Sequence, residues 1–212
     1  MTDRSNGYEG VAAAFLAGRG RAPPTAIGAR AVGNWARTLP RGAEVLDLGC
    51  GSGLPITRAL VSEGLKVWAI DASPSMVAAF RANFPTIPVA CEAVEESTFF
   101  DRTFDGVVAW GLMFLLPADV QRRLIRRVAG ILAPGGRLLF TSSGGTEPVV
   151  WNDVMTGLES RSLGAAEYRR ELSAVGLSVT REYEDEGENH YFDAIKKGVS
   201  DPDDATSVAP TG

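Results

Sequence analysis

A chain of 212 residues, 45% hydrophobic and 22% charged, is long enough for one soluble domain with a full core. Its formal net charge of −5 weighs against a nucleic-acid partner, and no apolar stretch approaches the roughly 18 residues of a membrane helix. A single histidine excludes a multi-histidine metal site, and Cys50 and Cys91 lack metal spacing, so no metal is expected and the thiols read as free in a reducing, cytoplasmic setting.

The opening MTDRSNGYEG is polar and carries no signal pattern. GYEGVAAAFLAG reads as a short helix, RAPPTAIG as a break at Pro23 and Pro24, and AIGARAVGNWARTLP as a helix ending at Pro40. Residues 7–40 are therefore expected to form a helical cap on a single domain spanning 1–197. From there strands and helices alternate. AEVLDLG, KVWAID, IPVAC, FDGVVAWG and GRLLFTSS read as strands, with helices GLPITRALVSEG, SPSMVAAFRANF and PADVQRRLIRRVAGIL between them. Ser73 is the expected N-cap of SPSMVAAFRANF, with Pro74 at the first helical position. This rhythm predicts an α/β fold, a doubly wound sheet with helices on both faces.

After Ser143 the rhythm changes. GGTEPVVWNDVMTGLESRSLG fits no simple period and reads as an insertion over the active face. AAEYRRELSAVG is a helix stopped by Gly176, and LSVTREYED and NHYFDAIKK form a hairpin whose second strand runs antiparallel. The stretch 198–212 has too little apolar content to repay its ordering and is expected to be disordered.

The informative stretch is VLDLGCGSGLP, in which Asp47 precedes Gly49, Gly51 and Gly53. A phosphate loop needs Gly-Lys-Ser/Thr where Leu54 and Pro55 stand, and the G-x-G-x-x-G of dinucleotide enzymes fits neither frame. Glycines at alternate positions let the backbone pass close to a ligand at the end of a strand. An acid two residues before them suits an ammonium group and would repel a pyrophosphate.

VLDLGCGSG resembles motif I of the class I S-adenosylmethionine-dependent methyltransferases, and further positions follow in that family's order. The resemblance spans Tyr8 to Phe192. It implies a Rossmann-like seven-stranded sheet of order 3-2-1-4-5-7-6 with strand 7 antiparallel, and S-adenosylmethionine as cofactor. Asp71, 18 residues past Gly53, would hold the ribose hydroxyls, with Ala72 beside it and Met76 against the adenine. Glu92 and Ala93 of CEAVEE would meet the adenine edge, Trp110 at the end of the fourth strand would be a further cofactor contact, and Tyr8 lies on a helix that would cover the cofactor. Each residue also has a plainer structural use: Asp71 at a helix start, Met76 in the core, Glu92 on a loop. The arginines of QRRLIRR read as a solvated helix face, and the cysteines as inert small residues.

Ligands of open parallel sheets bind beyond the carboxyl ends of the strands. That places Phe114, Trp151, Glu188, Asn189 and His190 at the substrate end, an aromatic pocket for a small molecule. His190, the only histidine, is the candidate base for an acceptor that arrives protonated. The expected activity is methyl transfer to an N, O or S atom of a small molecule, by a monomer or homodimer with no membrane partner. The alternatives are a non-catalytic S-adenosylmethionine-binding partner or sensor, and a nicotinamide-dependent oxidoreductase.

Overall fold

Val45, Leu46 and Leu48 are all fully inaccessible on the first strand, β1 (Glu44–Leu48). Successive side chains of a strand face opposite ways, so burial of neighbours requires a core on each side. Val45 packs with Val32, Trp35, Leu60 and Val67 on one face, and Leu46 and Leu48 pack with Val107, Leu124 and Phe140 on the other. The helices supplying the first face are α2 (Ala29–Ala36) and α3 (Ile56–Ser62). Those on the second are α5 (Ala118–Ile131) and α6 (Ala165–Ala174).

The computed structural model describes residues 3–19 and 26–198. The remaining elements are α1 (Tyr8–Arg19), β2 (Lys66–Asp71), α4 (Pro74–Asn83), β3 (Val89–Cys91), β4 (Phe104–Ala109), β5 (Leu132–Ser142), β6 (Val149–Asn152), β7 (Glu159–Ser162), β8 (Leu177–Glu184) and β9 (His190–Lys196). Seven strands form one sheet in the order β3-β2-β1-β4-β5-β9-β8, and β9 runs antiparallel to both neighbours. With β8 and β9 as the sixth and seventh strands of this sheet, the order is the expected one. Ser73 caps α4 as expected, its hydroxyl accepting from the Met76 amide at 3.2 Å.

Three expectations need adjustment. The segment after Ser143 is not irregular: β6 and β7 pair as a separate two-stranded hairpin. Strand β5 starts at Leu132, four residues early, because Leu132 pairs with Phe104 before the register shifts at Gly106. Helix α2 does not cap the site, since Ala31, Val32, Trp35 and Ala36 are spent on the sheet face. The break at Pro23 and Pro24 and the expected disordered stretch from 199 onward lie outside the described residues.

The far edge of the sheet is anchored by aromatic packing. Phe192 of β9 stacks on Phe140 of β5 at 4.8 Å, and Tyr168 of α6 meets both rings. Arg137 and Asp193 pair across the same two strands at 2.8 Å, with both side chains largely buried.

Candidate active site

Beyond the carboxyl ends of β1, β2 and β4 lies a cavity of about 300 Å³. The turn after β1 forms its floor. Gly49, Gly51 and Gly53 all have positive φ, at 70°, 55° and 78°. A side chain at Gly51 would meet nothing within 4 Å, so this backbone lies open to the cavity. Gly53 differs: an added Cβ would lie 2.4 Å from the Phe84 ring, and the residue is not among those lining the cavity.

Asp71 ends β2 beside this turn. Its Oδ2 accepts from the Gly51 amide and its Oδ1 from the Ser73 amide, each at 2.8 Å. Burial raises its pKa, and the two amide bonds oppose that rise. Asp47 shares the face of β1 that carries Val45, and α3 covers it. It is 1% exposed, and Thr57 Oγ1 donates to it at 2.5 Å. Burial pushes its pKa up to about 7, against the pull of the Thr57 bond, and the nearby Asp71 charge adds to the rise.

The Asp47 shift carries a stability consequence. Below pH 3.8 the carboxyl is neutral both folded and unfolded. Between 3.8 and about 7 the unfolded chain ionises first, so the folded state binds more protons and stability falls as pH rises. Above about 7 the full cost is present. Asp47→Asn, which keeps an acceptor for Thr57, should flatten that fall in urea unfolding of the ligand-free protein. An unchanged pH profile in the variant would assign the dependence to another group.

The roof comes from two segments far apart in sequence. In α1, Glu9 accepts from the Ser75 amide at 3.1 Å and the Ser75 hydroxyl at 2.7 Å, and also from the Ser73 hydroxyl. These bonds tie α1 to the start of α4, and Arg4 pairs with Glu95 and Glu96 just ahead of it. Arg4, Asn6, Tyr8 and Phe15 thereby line the cavity. The second segment is the β6–β7 tip, whose Asp153 lies 3.3 Å from the Tyr8 hydroxyl.

The wall after β4 is Trp110. Gly28, at φ 88°, leaves room for its indole, which an added Cβ would meet at 2.8 Å. Trp110 Nε1 donates to the Tyr191 hydroxyl at 2.9 Å, which donates to Asp185 Oδ2 at 2.7 Å. Burial, with the Asp185 hydrogen bond, pushes the Tyr191 pKa up, so it stays a neutral donor.

Of the residues expected at the site, Tyr8, Asp47, Gly49, Gly51, Asp71, Ala72, Met76, Ala93, Trp110, Phe114 and Asn189 line this cavity. Gly53, Glu92, Trp151, Glu188 and His190 do not. Trp151 packs behind Phe114, with ring centroids 5.7 Å apart. Glu188 is exposed, at φ 58° in the β8–β9 turn.

His190 begins β9 at the expected end of the sheet but on the wrong face. Tyr191 turns toward Trp110, so strand alternation turns His190 the other way. There it meets Phe192 at 4.9 Å and Glu182 at 3.3 Å, and Gly144 covers it. Cys50 reaches the cavity, but burial pushes its thiol pKa up and leaves it inert.

Arg4, Asn6, Phe15 and Asp153 went unnoticed in the sequence. The one local signal for Asp153 is its position in NDVMTG, an acid followed by a threonine and a glycine at a turn. Among the described residues no group of His, Cys, Asp and Glu could hold a metal ion.

The family described as "Methyltransferase domain" matches residues 45–136, from β1 to the start of β5. An uncharacterized methyltransferase of Mycobacterium tuberculosis is 38% identical over 138 residues, 64% of this chain and 51% of that protein, so the chain spans about half the length of the curated relatives it matches. Among solved structures, the 1,6-didemethyltoxoflavin-N1-methyltransferase of Burkholderia thailandensis has a TM-score of 0.65 at 22% identity, covering 91% of this chain and 90% of its own. The [4+2]-cyclase SpnF has a TM-score of 0.68 at 18% identity, covering 93% of this chain and 97% of its own. Residues 45–136 thus match a methyltransferase domain, and the seven-stranded order is the fold shared with solved S-adenosylmethionine-dependent methyltransferases.

Proposed function

We propose that this chain binds S-adenosylmethionine in the cavity and moves its methyl group to an N, O or S atom of a small molecule. The observation that carries the reading is the pairing of Gly51 with Asp71. The Gly51 backbone is open to the cavity, and its amide is held by the carboxylate that would receive the ribose hydroxyls. Ser52 Oγ and Asn6 Nδ2 fit a polar ligand as well: both are buried without a hydrogen-bond partner and belong to cavity residues.

When bound, the cofactor supplies a methyl on a sulfonium; transfer forms the bond from methyl to acceptor and breaks the bond from methyl to sulfur, leaving a thioether. The protein has little covalent work to do, and its contribution is alignment and exclusion of water. Asp71 would anchor the ribose end, the Gly49–Gly51 backbone would carry the amino-acid end, and the Asp47 carboxylate would attract its ammonium, a charge that favours the ionised form burial opposes. Trp110 and Phe114 wall the acceptor side. No base is assigned, because His190 faces away. The free thiol at exposed Cys91 fits a reducing, cytoplasmic setting, and no described helix is long and apolar enough to cross a membrane.

Isothermal titration should give about micromolar affinity for S-adenosylmethionine and its demethylated product, and none for NAD. NAD binding without S-adenosylmethionine binding would overturn the reading. A second reading is cofactor binding without methyl transfer: a [4+2]-cyclase shares this fold, and one fold hosts several chemistries. Methyl transfer to a panel of small N, O and S nucleophiles separates the two.

A further inference from the structure

We propose that Asp153 selects the acceptor, and that the acceptor carries an amine on an apolar body and is not an anion. The proposal rests on the methyl-transfer reading only for the word acceptor. Asp153 opens the β6–β7 tip and is 7% exposed. Its Oδ1 accepts from the Met155 amide at 2.9 Å, the Thr156 amide at 2.8 Å and the Thr156 hydroxyl at 3.1 Å. Those bonds fix the carboxylate and leave Oδ2 with one donor, the Tyr8 hydroxyl at a long 3.3 Å. No Lys, Arg or His among the described residues pairs with it. A carboxylate this buried is costly without a counter-charge, and a cationic ligand supplies one.

The surrounding charge points the same way. Among the described residues, Asp47, Asp71, Glu95 and Asp153 line the cavity, and Arg4, the one cation among them, is already paired with Glu95 and Glu96. Asp47 and Asp71 have roles at the cofactor end, whereas Asp153 sits in the roof. A negative, low-dielectric cleft concentrates cations and repels carboxylates and phosphates. Asn6, on the same cavity, has its Nδ2 buried without a hydrogen-bond partner, and as a donor it would meet an acceptor atom of the ligand rather than its ammonium. Tyr8, Phe15 and Phe114 supply apolar walls. An ammonium on an aromatic or aliphatic body satisfies Asp153 and fills those walls. The contact is one of binding: no bond is made or broken at the carboxylate.

The test uses the full chain loaded with S-adenosylhomocysteine and three matched probes: 2-phenylethylamine, 2-phenylethanol and 3-phenylpropionate. Ligand-observed NMR titration at low salt should rank the amine at least about tenfold above the acid, the effect of one charge-assisted hydrogen bond. In Asp153→Asn, which retains an acceptor for the turn amides, that ratio should fall below about threefold while S-adenosylhomocysteine affinity holds. Equal affinity of amine and acid for the native protein, binding by none of the probes, or a preference that survives in the variant would each overturn the proposal. The native ratio needs no variant to fold. Failure of S-adenosylhomocysteine to bind would instead sink the methyl-transfer reading, and the amine-to-acid ratio of the unloaded protein would still report on Asp153.

Discussion

Asp71→Ala should weaken S-adenosylhomocysteine binding at least about 100-fold, because two charge-assisted hydrogen bonds of about 1.5–3 kcal/mol each disappear together. An ionised carboxylate offers four lone-pair sites. The Gly51 and Ser73 amides occupy two of them, leaving two for the ribose hydroxyls. The substitution therefore removes the ligand's anchor and also frees the Gly51 amide, leaving the Gly49 and Cys50 amide bonds to the Ile70 carbonyl to hold the glycine turn to β2. Burial strengthens the effect, since water does not easily replace the lost carboxylate. Isothermal titration of a variant with native circular dichroism measures it. A loss below about tenfold would mean that Asp71 serves only the start of α4.

Two glycines of the same turn should fail in different ways. Gly53→Ala should destabilise the fold by about 2–5 kcal/mol, combining about 1–2 kcal/mol for a left-handed non-glycine residue with about 1–3 kcal/mol of overpacking. Its φ is 78°, and the new methyl would lie 2.4 Å from Phe84 and 3.0 Å from Phe80, the latter fully buried. Gly51→Ala should cost only the conformational part, about 1–2 kcal/mol, because its methyl enters open space. That space is where the ligand backbone should pass, so Gly51→Ala should lose cofactor affinity while Gly53→Ala loses melting temperature. Urea unfolding and titration of both variants give four numbers. The reverse pattern, with Gly51 structural and Gly53 essential for binding, would contradict the geometry of the turn.

The fold was largely legible because its signals are local. Alternating strand and helix periods, Ser73 before Pro74, and glycines where the chain must turn left-handed are properties of neighbouring residues. The cofactor end of the cavity was legible for the same reason. Asp47, Gly49, Gly51, Asp71 and Met76 lie within two consecutive strand-to-turn units, and the sheet brings their ends together by simple parallel pairing of β1 with β2.

The acceptor end was not legible, because nothing local decides which way a side chain faces or which distant segments meet. Sequence alone determined that His190 begins a strand at the active end. The pairing of β9 with β5 decided that Tyr191 turns to Trp110, and a period of two then turns His190 away. Sequence alone also left 149–162 without a period, because β6 is largely exposed and the buried positions of β7, Ser160 and Ser162, are polar. Only the tertiary structure set its tip against α1, placing Asp153 beside Tyr8 across 145 residues of chain. Contacts of that range depend on packing between whole elements, and packing leaves no periodic mark at the residues it joins.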